Sequence, residues 1–321
     1  MAATPSSSSP GSRLLQGPPP PEPEKTKKQK TEKEEDVRDW AELPRDALLL
    51  VLEKLSQVDV FRGPELVCGP WRRAALDEPT LWRHIDLRHC HVDASSRWCL
   101  RPMAHAAVRR SRGCEALRGE GAVDEWVISL LENSPHSLKS LRMISCERIT
   151  DRLSNSIPWF YKLEELEISN CDPGAFSSTC IVVGNSCPNM KRFRLSSPRF
   201  YKRRRRRIDC EVEGITRMRG LRSLQLFAQT ISTDGLSSIL NSCVQLESLD
   251  IRHCFNIEME EEMVARCSRF RSLKLPYDST HDYDLEFSAP DMRLEKIWCP
   301  GGLFFAKIRD PTGLPEIFGS Y

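Results

Sequence analysis

The chain holds 321 residues, 40% of them hydrophobic and 29% charged. That length suggests about two domains, and the modest apolar fraction suggests that part of the chain is unstructured. Lys+Arg 47 against Asp+Glu 45 leaves a formal net charge of +2, which removes any global charge argument for a nucleic-acid or membrane-surface binder. No stretch reaches the ~18 consecutive apolar residues of a membrane span. The opening Met1-Ala2-Ala3-Thr4-Pro5 lacks the charged-then-apolar plan of a signal peptide. The expectation is a soluble protein of the nucleus or cytoplasm, with its 13 cysteines reduced.

Residues 1–36 read as a disordered tail. Serines, the Pro18–Pro21 run and the Lys25, Lys27, Lys28, Lys30 cluster supply too few large apolar groups to offset the entropy of ordering. The lysines are either a solvated tail or an import signal. Structure is expected from Asp39-Trp40. Leu43-Pro44 opens a helix, where proline's missing donor is an orphan anyway. Leu48, Leu52 and Leu55 then recur at i, i+4 and i+7, a helical stripe. After the Gly63-Pro64 break come Leu66-Val67-Cys68 with Trp71, and Leu81-Trp82 closes the block.

This block, residues 39–86, resembles an F-box. The likeness is carried by Leu43-Pro44, Asp46, Leu48, Leu52, Leu55, Val67-Cys68, Trp71-Arg72 and Leu81-Trp82 in that order. It departs from the family pattern at Pro64 and at Gly69-Pro70. The resemblance implies docking to a Skp-type adaptor and, through it, to a cullin-RING ubiquitin ligase. Leu43, Pro44, Leu48, Leu52, Leu55, Val67 and Trp71 would be the apolar anchors.

The rest of the chain repeats with a period of about 25 residues, the leucine-rich-repeat signature. Leu138-x-x-Leu141-x-Met143-x-x-Cys146 is answered by Leu163-x-x-Leu166-x-Ile168-x-x-Cys171, and the frame recurs to Phe270, Leu273 and Leu275. Trp82, Ile85, Leu87 and Cys90 fit it earlier, and Cys114, Leu117 and Gly119 form a degenerate copy. One strand–helix unit cannot bury its apolar face alone, so such units stack around one shared core. The fold class is α/β: a short all-helical F-box, then over 82–277 a leucine-rich-repeat solenoid whose curved parallel sheet carries helices on its convex side. Residues 278–321 are expected to be an irregular C-terminal tail. The sum is similar to small plant F-box/leucine-rich-repeat proteins over about 39–285.

Cys146, Cys171 and Cys254 share one phase of the repeat, and Cys187, Cys243 and Cys267 another, which points to packing as small buried hydrophobes. His89-Cys90-His91 and His253-Cys254 do not have metal-ligand spacing, and no Cys-x-x-Cys occurs, so no metal or other cofactor is expected. No catalytic constellation stands out, and the chain is read as non-enzymatic. The basic run Arg203–Arg207 lies in a repeat, Met190 to Leu221, about six residues longer than its neighbours. It is read as an inserted loop, with an import element or an acidic-partner contact as alternatives. No aromatic platform continues it, so no nucleic-acid partner is expected, and no membrane.

The function implied by the resemblance is that of a non-catalytic adaptor holding an unknown target protein on its repeats for ubiquitination and degradation. The alternative is a repeat scaffold acting outside a ligase. On each strand, residues flanking the inward apolar pair face the concave side. The candidate target-binding residues are thus Arg142, Glu165, Glu167, Arg192, Arg194, Gln225, Phe227 and Asp250. Their charges either satisfy one another across the strands or await partners on the target, with Phe227 as an exposed anchor.

Overall fold

A computed structural model describes residues 39–88, 97–121, 125–132, 135–146, 150–171, 176–200 and 209–288, and the backbone of 297–299, 302–308 and 315–318. The expectations for residues 1–36 and for the Arg203–Arg207 run lie outside them. The chain divides into a unit Met1–Trp40 and a unit Ala41–Tyr321, and the helices and strands named here belong to the second.

Four short helices come first: α1 (Arg45–Leu52), α2 (Gln57–Arg62), α3 (Pro64–Val67) and α4 (Gly69–Asp77). The prolines explain their brevity. Pro64 and Pro70 each sit in the first turn of a helix, where no intrahelical donor is lost. Ser56 caps α2, its hydroxyl accepting from the Asp59 N–H at 3.2 Å. Leu48 and Leu52 of α1 are buried beside Val60, Ala74 and Ala75. Removing each leucine from water contributes roughly 1.5–3 kcal/mol.

Eight parallel strands come next, paired in sequence order: β1 (His84–Asp86), β2 (Ala116–Glu120), β3 (Ser140–Ile144), β4 (Glu165–Ser169), β5 (Arg192–Ser196), β6 (Ser223–Phe227), β7 (Ser248–Asp250) and β8 (Ser272–Lys274). The helices between them are α5 (Arg97–Ser111), α6 (Glu125–Leu131), α7 (Thr150–Ser156), α8 (Phe176–Ser186), α9 (Val212–Thr216), α10 (Thr233–Ser242) and α11 (Glu261–Cys267). This is the leucine-rich-repeat solenoid. Leu117, Leu141, Leu166, Phe193, Leu224, Leu249 and Leu273 stand in one register row, the first six of them buried. Several strands end in a left-handed residue at one phase: Ser145, Asn170, Ala228 and His253 all have φ between 52° and 61°. The next residue drops its side chain into the core, a thiol in three of these four turns. Cys171 and Cys254 donate to the carbonyls of Met143 and Leu226 in the preceding repeat.

One core runs without a break from Leu48 to Phe270. At the junction Trp82 is fully buried, its Nε1–H donating to the Ala75 carbonyl at 2.8 Å. The Arg110 guanidinium lies over both Phe61 and Trp82 and pairs with Glu65. Gln57 spans the two parts: its amide donates to Leu81 O and accepts from Asp86 N–H. At α8 and α9 two glycines bring backbones together, since a Cβ on Gly214 would lie 2.2 Å from the Cys180 carbonyl carbon.

The expectation of an irregular tail over 278–321 is corrected in two places. Residues 278–288 pack back onto the sheet, where Asp282 and Asp284 pair with its arginines. Strands β9 (Ile297–Cys299), β10 (Gly302–Ile308) and β11 (Pro315–Phe318) form a three-stranded antiparallel sheet. Losing the repeat frame ends the solenoid but not the pairing of strands.

Candidate functional site

Two surfaces are candidates. The first is on the helical block. Of the expected anchors, Pro44 and Val67 are exposed, and Leu43, Leu55 and Trp71 are half-buried against the core. Leu48 and Leu52 are 2% and 1% exposed, so they are core residues and are withdrawn as partner contacts. The physical reason is that a helical stripe marks the face a helix buries in its own domain. The exposed large apolar side chains of the four helices are Leu50 at 62%, Val51 at 43%, Leu66 at 76%, Val67 at 58% and, least, Leu76 at 38%. Leu50 and Val51 were missed because residues 47–52 are apolar all round and periodicity alone does not sort them, and Leu66 because its helix of four residues is too short to show a period. Their signal was surplus: a small block with more large apolar residues than its core holds.

The second surface is the sheet face opposite the helices. The strand register lines up Asp86, Arg118, Arg142, Glu167, Arg194, Gln225, Asp250 and Lys274 in one row. A neighbouring row places Glu165 beside Arg192. Most of these charges are satisfied within the chain. Arg142 lies 3.1 Å from Glu165 and 3.3 Å from the buried Glu167; Arg192 reaches Glu165 at 3.0 Å and Arg194 reaches Glu167 at 3.3 Å. The cross-strand ladder therefore explains Arg142, Glu165, Glu167, Arg192 and Arg194 without a target. Burial alone would raise the Glu165 carboxyl, but the Ser140 hydrogen bond with Arg142 and Arg192 outweighs it and holds its pKa below the usual value.

Phe227 is corrected most sharply. It is fully buried, in a small cluster with Phe200 and Ala228 against which Phe255, Tyr283 and Phe287 pack. The cover is the chain itself. Residues 282–288 cross the sheet as a strap running from β8 toward β4. Asp282 pairs with Arg252 at 2.5 Å and Lys274 at 3.2 Å. Asp284 takes both terminal nitrogens of Arg194, at 2.5 and 3.0 Å. The Asn170 amide donates to Glu286 O at 2.8 Å, and Ser288 N–H to Pro198 O at 2.7 Å. Lys274 and then Arg252 hold the Asp282 carboxyl down to about 2. Asp250 pairs with the buried Arg252, and Gln225 is half-buried. His253, beneath Phe287, is buried with neither ring nitrogen hydrogen-bonded among the described residues, and burial pushes its pKa down to about 4. No strap was legible in the sequence, although Tyr283, Leu285 and Phe287 alternate with Asp282, Asp284 and Glu286, the pattern of a segment with one covered and one exposed side.

No group of three or more His, Cys, Asp or Glu is placed to hold a metal ion among the described residues. No described helix is long and apolar enough to cross a membrane.

A family model described as F-box-like matches residues 40–88. The chain is 34% identical over 255 residues to F-box protein SKIP19 of Arabidopsis thaliana, covering 77% of this chain and 80% of that protein. It is 32% identical over 257 residues to F-box/LRR-repeat protein 23 of the same plant, covering 77% of this chain but 55% of that one. With F-box/LRR-repeat protein 22 it shares 29% over 263 residues, covering 78% and 81%.

Proposed function

Because this chain belongs to the F-box/leucine-rich-repeat family, we propose that it is a non-catalytic recruiting subunit of a Skp–cullin–F-box ubiquitin ligase in the nucleus or cytoplasm. The helical block binds a Skp-type adaptor, and the repeats hold a target protein for ubiquitination and degradation. The observation that carries this reading is the exposure of Leu50, Val51, Leu66 and Val67 on a block that already buries Leu48, Leu52, Val60, Ala74 and Ala75. Apolar side chains on that scale mark a protein contact, and desolvating them against a partner's apolar groove supplies the affinity. The chain brings no chemistry of its own to this role; it contributes proximity, holding a target where a conjugating enzyme recruited elsewhere reaches it.

The test is co-purification of a Skp-type adaptor with the full chain and with a Leu66→Asp/Val67→Asp variant. The wild type retains the adaptor and the variant loses it at unchanged thermal stability. Equal retention by both removes this surface as the contact, and no retention by either ends the ligase reading.

A further inference from the structure

We infer that the part of the sheet face the strap leaves open, β1–β3 with the first residues of β4 and β5, docks an acidic, extended segment of the target protein. The inference rests on the recruiting function proposed above and adds the chemistry of what is recruited. Three observations lead to it.

The strap shows how this face reads a peptide. It crosses the strands as an irregular segment and gives two of its acids to the face. Asp282 goes to Lys274 and Arg252, and Asp284 to Arg194. Lys274, Arg194, Arg142 and Arg118 belong to one register row; Glu167 stands between Arg194 and Arg142 and pairs with both, so the next cation free for an acid beyond the strap is Arg118.

The open half keeps uncommitted positive charge. A recess of about 570 Å³ there is lined by Arg88, Arg118, Arg142 and Arg192 against only Asp86 and Glu165. Arg88 is held by Asp86, and Arg142 and Arg192 share Glu165. Arg118 has no ion pair among the described residues, and its Nε is buried without a hydrogen-bond acceptor. Guanidinium groups of this kind take carboxylates bidentately.

The dimensions agree. Five strands at ~4.8 Å spacing span about 19 Å, the length of roughly six extended residues. An acidic peptide is favoured over a nucleic acid because the recess has no aromatic side chain apart from the His84 ring on which a base would stack.

The experiment uses the full chain co-purified with its Skp-type adaptor and a fluorescein-labelled octaglutamate peptide, read by anisotropy at low salt. Saturable binding is expected, weakened at least tenfold by Arg118→Gln/Arg192→Gln at unchanged melting temperature. It should persist when Arg203–Arg207 are replaced by serine, and an eight-residue oligothymidylate should bind less well. The inference is overturned by absence of octaglutamate binding, by full binding in the double variant, by loss of binding only when the Arg203–Arg207 run is replaced, or by tighter binding of the oligonucleotide. It is also overturned if replacing Glu32, Glu34, Glu35 and Asp36 by serine raises the peptide affinity tenfold, since the chain's own acids would then be the occupant. Adaptor retention, read on the same samples, reports separately on the ligase reading.

Discussion

Tyr283 stacks on Phe227, with ring centroids 3.9 Å apart and planes inclined by 17°. A residue beyond the last repeat thereby closes over one at the end of β6, and a side chain that the strand pattern alone would expose becomes core. Truncating it should be costly. Phe227→Ala is expected to lose about 3–5 kcal/mol in urea unfolding, the range for buried phenylalanine. Asp284→Asn should cost less but loosen the strap, and faster amide exchange over 282–288 in that variant is the measurement.

Leu52 and Leu66 should respond differently to the same charge. Leu52→Asp buries an unpaired carboxylate in the core and is expected to cost roughly 2–5 kcal/mol of stability. Leu66→Asp should leave the melting temperature within about a degree and still abolish adaptor binding. Thermal melts paired with adaptor pull-downs separate the two; similar melting losses in both would show that Leu66 is structural.

His253 gives a pH dependence. Burial, and after it the charge of Arg252, lowers its folded pKa to about 4 from the ordinary 6.5. The unfolded chain therefore binds the proton more readily between those values. Stability is unaffected above about 6.5 and falls as pH drops toward 4. At pH 5 this single group is expected to cost about 2 kcal/mol relative to pH 7. Urea midpoints of wild type and His253→Phe at both pH values check it, with a smaller pH 7-to-5 decrement in the variant.

Gly214 tests the close approach of α8 and α9. Gly214→Ala places a methyl group against the backbone of Cys180, and helix backbone does not yield as a flexible side chain does. A loss of roughly 1–3 kcal/mol is expected. The same change at Gly121, where a Cβ meets nothing within 4 Å, should cost only the strain of its positive φ.

The thiols should be quiet. Eight of the ten described cysteines are buried, and burial pushes Cys114 and Cys187 up to about 12 and Cys243 to about 11. These three hold little thiolate at neutral pH, and Cys171, whose pKa the hydrogen bond with Cys146 lowers, is shielded from a bulky disulfide reagent by its burial. Of these ten, only the half-buried Cys68 and Cys210 should react promptly in the native protein, and denaturation without reductant should release the rest.

The fold was legible in the sequence wherever it is periodic. The leucine rows, the strand order and the cysteine phases recur about every 25 residues, and repetition separates them from chance. The adaptor surface was half legible. The spacing of Leu48, Leu52 and Leu55 located a helix, but the same spacing satisfies a core, and Leu48 and Leu52 went there. Phe227 was misplaced because its cover comes from residues 283 and 287, more than fifty positions away and outside the repeat. Strand alternation tells which face a residue occupies, not what later lies on that face. The strands after residue 296 carry no trace of the 25-residue period, and so gave no signal beside it.

The half-buried bridge of Gln57 between Leu81 and Asp86, beside a core continuous from the helices into the repeats, has a mechanical consequence. The two ends of this unit do not swivel independently. A protein gripped on the sheet is presented to anything fixed on the helical block at one distance and one heading. Under the proposed recruiting function, which lysine of a bound target is modified would then be a matter of surveying: those within the arc defined by this stiff joint are in range, and those outside it are spared however tightly the target is held.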